Sequence, residues 1–322
     1  MRNNKQFLFF KSLYHIIFII IVFNITKSQY STKNLQTIPI IFSSDNNFFV
    51  KTLVSITSLL ENMGESTSYN IYILIPKDFK KSFIVVFKKL EIKYFKCSIN
   101  IINMNNTFTN FTGTEGRPNT AYYRLLIPSL LPKIYNKAIY LDGDTLTLSD
   151  LKPLYSIDIK SNYAAGFLDR LSSGLDHLKV KSDIFINSGV LLLNLYQLRK
   201  DDIVNKFLDF MYKNNNFLRN HDQTVLNYIC FEKIGILPPK FGTFNMFKKN
   251  DIVRYNKHLR KKYNLDQFIL EVKNPVIVHF TGDYPKPWED CENCVQTPFY
   301  KIWWDMTKRI DDFKKIQKYL TK

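Results

Sequence analysis

The chain has 322 residues, of which 45% are hydrophobic, so it is long enough for one large or two small domains with a sizeable core. Ten glycines and twelve prolines are too few to suggest extensive disorder. The net charge of +17 comes from basic residues scattered over the whole length, without a dense basic block or zinc-finger spacing. It therefore indicates a basic surface that meets anionic ligands or membranes rather than a nucleic-acid-binding protein.

The first 29 residues form a separate segment. Three basic residues precede an apolar stretch at 13–23, and polar residues follow, which is typical of a secretory signal. Counted back to Phe7, the apolar part has 17 residues, only just enough to span a bilayer. We therefore predict either a cleaved signal peptide or an uncleaved signal anchor at 1–29, with the rest of the chain across the membrane. The alternative is a hydrophobic N-terminal element of the fold.

From position 36 onward, short apolar runs alternate with amphipathic stretches. Strands are predicted at 38–43, 71–75 and 98–102, with helices at 48–62 and 80–93. After an Asn-, Thr- and Gly-rich loop at 103–119 come a helical stretch at 120–131, strands at 138–141, 163–168, 190–195 and 275–280, and helices at 196–212 and 222–231. This alternation indicates βαβ units and a parallel sheet that is covered on both faces.

No linker or internal repeat divides the chain, so one continuous α/β domain is predicted at 36–322. Its tail, at 299–322, has the pattern of an amphipathic helix with aromatic and then basic residues. For this tail, packing on the core is preferred to lying on a membrane surface.

The chain contains four cysteines, which are Cys97, Cys230, Cys291 and Cys294. They allow three full pairings in an oxidising compartment. The last two form a single CxxC without a second pair nearby, so a local disulfide or two free thiols is preferred to a zinc site. Two Asn-x-Thr triplets, at 105–107 and 110–112, fit the glycosylation sequon but arise readily in an Asn-rich chain.

The central motif is Asp142-Gly143-Asp144, which follows the apolar strand at 138–141. Two carboxylates at the carboxyl end of a buried strand stand where open α/β sheets bind ligands. Gly143 lets the backbone turn tightly, so that both carboxylates can face one hard cation. A divalent ion held there can neutralise a diphosphate and stabilise it as a leaving group. The alternative is a solvated loop, because Asp and Gly are common in turns.

A second motif lies at 278–288 and contains His279, Gly282 and Lys286. A histidine at the end of an apolar strand can complete a mixed carboxylate–imidazole site of the kind that manganese accepts. Gly282 leaves room for a phosphate to approach backbone N–H groups, and Lys286 can pair with phosphate charge. Taken alone, such a histidine is more often a structural residue.

Together these motifs resemble glycosyltransferase family 8, a family of retaining galactosyl-, glucosyl-, xylosyl- and galacturonosyltransferases that includes glycogenin. The resemblance covers nearly everything between positions 38 and 288. It implies a single GT-A domain, a Rossmann-like nucleotide-sugar-binding α/β fold with a mostly parallel central sheet flanked by helices.

The segment at 41–48, which includes Ser43, looks like the opening strand and loop that hold the uridine. By that match Asp45 and Asn47 would contact uracil or ribose, and Phe48 would stack on the base in place of the usual Tyr.

Two further segments carry donor-binding residues by the same resemblance. The stretch 121–125 is similar to the family's helix whose arginine reaches the donor, which makes Arg124 that residue. The stretch 185–195 resembles the segment whose asparagine touches the transferred sugar, here Asn187 with Ser188.

The turn at 220–224 is similar to the family's sugar-recognition turn. Asp222 would bind sugar hydroxyls, and Gln223 would lie beneath the anomeric carbon. The C-terminal segment resembles the HxxGxxKPW signature, with one departure: three residues separate Gly282 from Lys286, where the family usually has two.

The resemblance implies a metal-dependent transferase that moves a sugar from a UDP-sugar to a glycan or glycoconjugate acceptor. Asp142, Asp144 and His279 would hold Mn²⁺ or Mg²⁺, and Lys286 would assist electrostatically. This expectation requires the imidazole of His279 to lie close to the carboxylates of the central motif.

Three residues are the candidate catalytic residues, namely Gln223, Asp222 and Arg124. No well-placed carboxylate nucleophile is evident in the sequence. Front-face attack by the acceptor hydroxyl, with Gln223 stabilising an oxocarbenium-like state, is therefore preferred to a covalent glycosyl intermediate.

Two other functions are compatible with parts of the sequence. Phosphohydrolases of the haloacid dehalogenase type also use strand-DxD chemistry, but they carry Thr or Val where this chain has Leu146, and their motif normally follows the first strand. A catalytically silent UDP-sugar- or glycan-binding protein on the same scaffold is the main alternative. All three candidate metal ligands remain, which argues against it.

The N-terminal segment and the need for nucleotide sugars predict a secretory lumen, Golgi or ER, for a type II membrane or secreted enzyme. Membrane association would use the N-terminal anchor or the basic C-terminal helix. The alternative is a cytoplasmic enzyme in a bacterium.

Overall fold

The structure is a computed structural model that describes residues 35–109, 111, 119–169, 175, 178, 180, 184–214, 218, 220–244, 262–282, 285–289, 294–296 and 299–320. The predicted signal segment at 1–29 lies outside these residues, as do Cys291 and two of the three residues between Gly282 and Lys286. Of the described cysteines, Cys294 is disulfide-bonded and Cys97 and Cys230 are free thiols.

Ten strands are described. Their bounds are β1 Gln36–Ser43, β2 Thr67–Ile75, β3 Cys97–Asn103, β4 Lys137–Leu141, β5 Thr145–Thr147, β6 Ala164–Leu168, β7 Ile186–Asn194, β8 Ile234–Ile236, β9 Thr243–Phe244 and β10 Ile277–His279. Seven of them form the main sheet in the order β3-β2-β1-β4-β7-β6-β8, and the other three form a small sheet in the order β5-β10-β9. In the main sheet β1 and β4, β2 and β3, and β6 and β8 pair in parallel, whereas β7 is antiparallel to β4 and β6. The predicted α/β fold with a mostly parallel sheet is confirmed.

The described helices are α1 Phe49–Glu61, α2 Lys81–Lys93, α3 Ile127–Leu130, α4 Lys152–Tyr155, α5 Leu195–Lys200, α6 Ile203–Lys213, α7 His221–Ile229, α8 Leu265–Lys273, α9 Tyr300–Thr307 and α10 Phe313–Ile316. A 3-10 helix at Asn119–Leu126 precedes α3. The helix predicted at 196–212 is two helices, because Asp202 between them is left-handed, with φ 52°. None of the described helices is long and apolar enough to cross a bilayer.

Apolar side chains cover both faces of the main sheet. Along β1, Ile40 and Phe42 join the core cluster that contains α1 and α2, while Ile41 joins the cluster that contains the 3-10 helix, α6 and α7. Burial on both faces explains why the strands are almost continuously apolar. The tail is not the single helix expected, because it is divided between α9 and α10, but it does pack on the core. Trp303 of α9 is 1% exposed.

The strand arrangement gathers several polar residues at one edge of the main sheet. The carboxyl end of β4 lies beside the start of β7, where the N–H of Asp142 donates to the carbonyl of Gly189 over 2.7 Å. Because β7 is antiparallel to β4, its first residues, Asn187 and Ser188, lie at this edge with the carboxyl ends of β1 and β6. Ligands bind at such strand ends in open α/β sheets.

Candidate active site

The two distant motifs meet because β5 and β10 pair. His279 lies opposite Thr145 in this antiparallel pair, and the N–H of Phe280 donates to the carbonyl of Asp144 over 2.9 Å. Nε2 of His279 is 3.1 Å from Oδ1 of Asp144 and 3.6 Å from Oδ2 of Asp142. One ligand atom from each of the three residues lies within 4.8 Å of the others. The expected proximity is therefore confirmed, and the three side chains form a candidate divalent-metal site.

The chemistry of this cluster suits a hard divalent cation. Burial disfavours the charged form of Asp144, but the imidazole of His279 and the ammonium of Lys286 hold the pKa of Asp144 below its usual value. Two carboxylates and one imidazole nitrogen are a ligand set that manganese and magnesium accept.

Gly143 is required for space rather than for a special backbone angle. A Cβ at this position would come within 2.3 Å of Oγ1 of Thr52 and 3.2 Å of Cδ1 of Phe48. The turn between the two aspartates is thus pressed against the start of α1. From the sequence, Gly143 was expected to allow a tight backbone turn. The structure shows instead that a side chain at this position would clash with Thr52.

Arg124 connects the central motif to α7. It is buried in the 3-10 helix, its Nη2 is 2.9 Å from Oδ1 of Asp142, and its Nε is 3.0 Å from Oδ2 of Asp222. It also donates to the carbonyl of Ser188 and lies over the ring of Tyr140, 4.4 Å from the centroid. Burial disfavours a charged guanidinium, yet the two carboxylates hold the pKa of Arg124 above its usual value. The positive charge of Arg124 is therefore already paired within the protein.

The predicted sugar-binding residues form one buried network. The hydroxyl of Ser188 donates to Oδ2 of Asp222 over 2.9 Å, and its backbone N–H donates to Oε1 of Gln223 over 3.1 Å. The amide nitrogen of Asn187 also donates to this oxygen, over 3.3 Å. Burial raises the pKa of Asp222 above its usual value, although the guanidinium of Arg124 opposes this.

The predicted uridine loop lies at the end of β1. Ser43 and Phe48 line a cleft together with the candidate metal ligands, and Phe48 directly precedes α1. Oδ1 of Asp45 accepts the N–H groups of Asn47 and Phe48, over 2.9 and 2.8 Å. The carboxylate of Asp45 therefore fixes the shape of the turn, while Asn47 is exposed.

The candidate metal ligands, Arg124 and Phe48 line a cleft of about 360 Å³. Its lining residues are Ser43, Phe48, Thr120, Ala121, Arg124, Tyr140, Asp142, Gly143, Asp144, His279, Thr281, Gly282 and Lys286. The predicted donor-binding residues that are not among its lining residues are Asp45, Asn47, Asn187, Ser188, Asp222 and Gln223. Gly282 has φ 72°, a left-handed conformation that favours glycine. Despite the longer spacing after this glycine, Lys286 is part of the cleft wall.

The model of the family described as "Glycosyl transferase family 8" matches residues 39–292. The chain belongs to this family. It is therefore an enzyme, a glycosyltransferase of a retaining family.

Comparisons with individual proteins are consistent with membership of family 8. A putative glycosyltransferase of Haemophilus influenzae is 32% identical over 254 residues, which cover 77% of this chain and 72% of the relative. The lipopolysaccharide 1,2-glucosyltransferase of Escherichia coli is 24% identical over 278 residues, covering 83% of this chain and 77% of the relative. The galactosyltransferase LgtC, solved in complex with donor and acceptor sugar analogs, aligns with a TM-score of 0.69 at 19% identity. That alignment covers 85% of this chain and 96% of LgtC, and it shows the GT-A fold.

One residue of this family 8 site was not found from the sequence. Asp169 follows β6 as Asp142 follows β4, and its Oδ2 accepts the amide groups of Asn187 and Gln223, over 3.1 and 3.2 Å. It thus orients two members of the buried network formed by the predicted sugar-binding residues. An acidic residue directly after a buried strand was the available signal, the same one that identified the central motif.

Proposed function

We propose that this family 8 glycosyltransferase moves a sugar from a UDP-sugar to a glycan or glycoconjugate acceptor, with retention and with a requirement for Mn²⁺ or Mg²⁺. The observation that carries the proposal is the approach of His279 to Asp142 and Asp144 inside a cleft that also contains Phe48 and Lys286. A glycan acceptor is supported by the printed name of the Escherichia coli relative, a lipopolysaccharide glucosyltransferase.

Asp142, Asp144 and His279 are the proposed metal ligands. A divalent cation, when bound, supplies positive charge that neutralises the diphosphate and stabilises it as a leaving group. The burial of His279, which is 3% exposed, would fix the imidazole before a ligand arrives.

Donor binding is proposed to involve two groups of residues besides the metal ligands. Those for the uridine and diphosphate are Ser43, Asp45, Asn47, Phe48, Arg124, Gly143, Gly282 and Lys286. Those for the transferred sugar are Asn187, Ser188, Asp222 and Gln223. Because the second group is held in a buried hydrogen-bond network, it would fix the sugar's position, and positioning can supply much of the rate acceleration.

For the chemical step we propose front-face attack. The bond from the anomeric carbon to the diphosphate breaks, the acceptor oxygen bonds to the same face, and its proton passes to the departing phosphate oxygen. Gln223 would stabilise the positive charge at the anomeric carbon, while Arg124 and Asp222 hold the site together. Asp222 is a poor candidate for the nucleophile of a covalent mechanism, because its carboxylate already pairs with Arg124 and accepts from Ser188.

The test is hydrolysis of UDP-sugars in the absence of an acceptor. We expect slow release of UDP that requires Mn²⁺ and is absent in Asp144→Ala. A silent UDP-sugar- or glycan-binding protein would bind the donor without releasing UDP, with or without metal. Gln223→Ala is expected to lower turnover at saturating donor, and unchanged turnover would remove Gln223 from the mechanism.

The domain division and the location of the enzyme are also proposed. We propose that 1–29 is a signal peptide or signal anchor and that 36–322 is the transferase domain, which works in a secretory lumen. The alternative is a cytoplasmic enzyme in a bacterium, and the relatives named above come from bacteria. N-terminal sequencing and fractionation of the full chain, compared with a chain lacking 1–29, distinguish these locations.

A further inference from the structure

Lys51 lies at the beginning of α1 beside the cleft. Its Nζ is 4.4 Å from the centroid of the Phe48 ring and 5.6 Å from that of Trp288. Phe48 lines the cleft, and Trp288 follows Lys286 by two residues. The stem of Lys51 is partly buried, and its ammonium is thus held near two aromatic faces rather than in open solvent.

The charges around Lys51 are those of Asp144, Lys286, Asp45 and Glu289. Burial lowers the pKa of Lys51, and the carboxylate of Asp144 opposes this, while the ammonium of Lys286 adds to the lowering. Both lysines therefore lie within electrostatic range of Asp144 and of each other. Among the residues that the structure describes, neither lysine is in an ion pair.

Two ammonium groups near Asp144, those of Lys51 and Lys286, make no ion pair among the described residues and can therefore pair with a ligand. The carboxylates of Asp142, Asp144 and Asp222 would be balanced by Arg124 together with one divalent cation, when it is bound. Because the diphosphate of a nucleotide sugar is itself doubly negative, it needs further positive charge. Lys51 and Lys286 are the cations beside Asp144 that are not already paired.

We propose that Lys51 is a donor-binding residue that, together with Lys286, pairs with the diphosphate and with the extra negative charge left on it when the sugar–phosphate bond breaks. This inference rests on the proposed function. It assigns to α1 a part in diphosphate recognition that the sequence motifs did not include. A lysine on α1 also means that diphosphate recognition does not depend on Lys286 alone.

An alternative role for Lys51, supporting the ring of Phe48, predicts a different effect on ligand binding. If its ammonium only supports the ring of Phe48, its loss weakens the binding of the base. If it pairs with phosphate, its loss weakens UDP binding and leaves uridine binding unchanged.

The experiment measures dissociation constants of uridine, UMP and UDP with Mn²⁺ for the wild type and three variants. Lys51→Met keeps the apolar stem and removes the charge, and Lys51→Arg keeps the charge. Lys206→Met removes one charge from the exposed surface of α6 and serves as the matched control. We expect Lys51→Met to weaken UDP about tenfold without affecting uridine, as the loss of one charge-assisted contact predicts. Lys51→Arg should restore most of the affinity, and Lys206→Met should match the wild type.

Two outcomes overturn the inference. One is unchanged UDP affinity in Lys51→Met, and the other is an equal loss for uridine and UDP in Lys51→Met, whether or not Lys51→Arg restores it. Failure of the proposed function is distinguishable from both, because it is seen in the wild type itself, which would then release no UDP from a UDP-sugar in the presence of Mn²⁺.

Discussion

Gly189 lies against the imidazole of His279, and a methyl group on its α-carbon would come within 2.1 Å of Cε1. The same methyl group would come within 2.6 Å of Oδ2 of Asp142. Real Cβ atoms do not approach other atoms so closely, so the imidazole and the carboxylate can share this space only because residue 189 has no side chain. The carbonyl of Gly189 also accepts the N–H of Asp142, which fixes the end of β4.

Gly189→Ala is therefore expected to separate His279 from Asp142 and to disrupt the candidate metal site. We expect Mn²⁺ to raise the melting temperature of the wild type but not of the variant, since a ligand stabilises only a protein that binds it. Turnover should fall roughly a hundredfold, as for a misplaced catalytic group. Gly235→Ala, in β8 of the same sheet, is the control, because its new methyl group meets Cβ of Ala165 at 3.0 Å, away from the site. A normal response of Gly189→Ala to Mn²⁺ contradicts this reading.

Substitutions of Asp169 test whether its hydrogen bonds orient the predicted sugar-binding residues Asn187 and Gln223. Its Oδ2 holds the amides of Asn187 and Gln223, so Asp169→Ala should free both and lower kcat by roughly ten- to a hundredfold, with little change in donor affinity. Asp169→Asn keeps an oxygen that can accept both hydrogen bonds and should recover most of the activity. Steady-state kinetics of the two variants separate the roles. If Asp169→Asn is as inactive as Asp169→Ala, the charge of Asp169 takes part in the reaction directly.

The sequence predicted the parts of this site that have a local signature. The strand before Asp142 was predicted at 138–141 and is Lys137–Leu141, because a buried strand must be apolar on both faces. The approach of His279 to the central motif was expected from its position at the end of an apolar strand and from the family resemblance, but its placement opposite Thr145 was not predicted. It depends on the pairing of two three-residue strands, and His279 is 135 residues from Asp144. Such a long-range register leaves no local periodicity.

The apolar periodicity also failed to predict where helices are interrupted. The left-handed residue Asp202 separates α5 from α6, and Asp312 at φ 56° precedes α10. The apolar spacing continues across both positions, so the pattern predicted continuous helices. Aspartate adopts this backbone conformation more readily than most residues, but its presence in a sequence does not reveal when it does so.

Phe48 is expected to contribute to binding of the base rather than of the diphosphate. Stacking of a base on an aromatic ring is worth about 1–3 kcal/mol, so Phe48→Ala should weaken uridine and UDP equally, by about tenfold or more. Phe48→Tyr restores the residue usual in the family and should bind as the wild type does. Calorimetry with both ligands measures this, and Phe95→Ala, at a ring that is 47% exposed, controls for the loss of a surface phenylalanine. An effect on UDP alone would assign Phe48 to the diphosphate instead.

Asp222 and Asp201 should respond to neutralisation in opposite directions. Burial raises the folded-state pKa of Asp222, so its neutral form stabilises the fold below the unfolded pKa, and this contribution is lost as the pH rises through the raised pKa. At neutral pH, Asp222→Asn should therefore melt no lower than the wild type. Its activity should nevertheless fall, because the carboxylate that pairs with Arg124 is gone.

Asp201 is the residue chosen for comparison with Asp222, because its pKa is shifted in the opposite direction. Hydrogen bonds from Tyr163, Gln197 and Lys233 hold the pKa of Asp201 well below its usual value, so its contribution to stability is present above the unfolded pKa and is lost as the pH falls through the folded one. Asp201→Asn should lower the melting temperature at neutral pH and leave activity unchanged, because this cluster lies outside the cleft. Thermal melts of both variants between about pH 3 and 8, a range that includes the unfolded aspartate pKa of about 3.9, measure the two signs. A lower melting temperature for Asp222→Asn at neutral pH would mean that its ion pair with Arg124 outweighs the cost of burying the carboxylate.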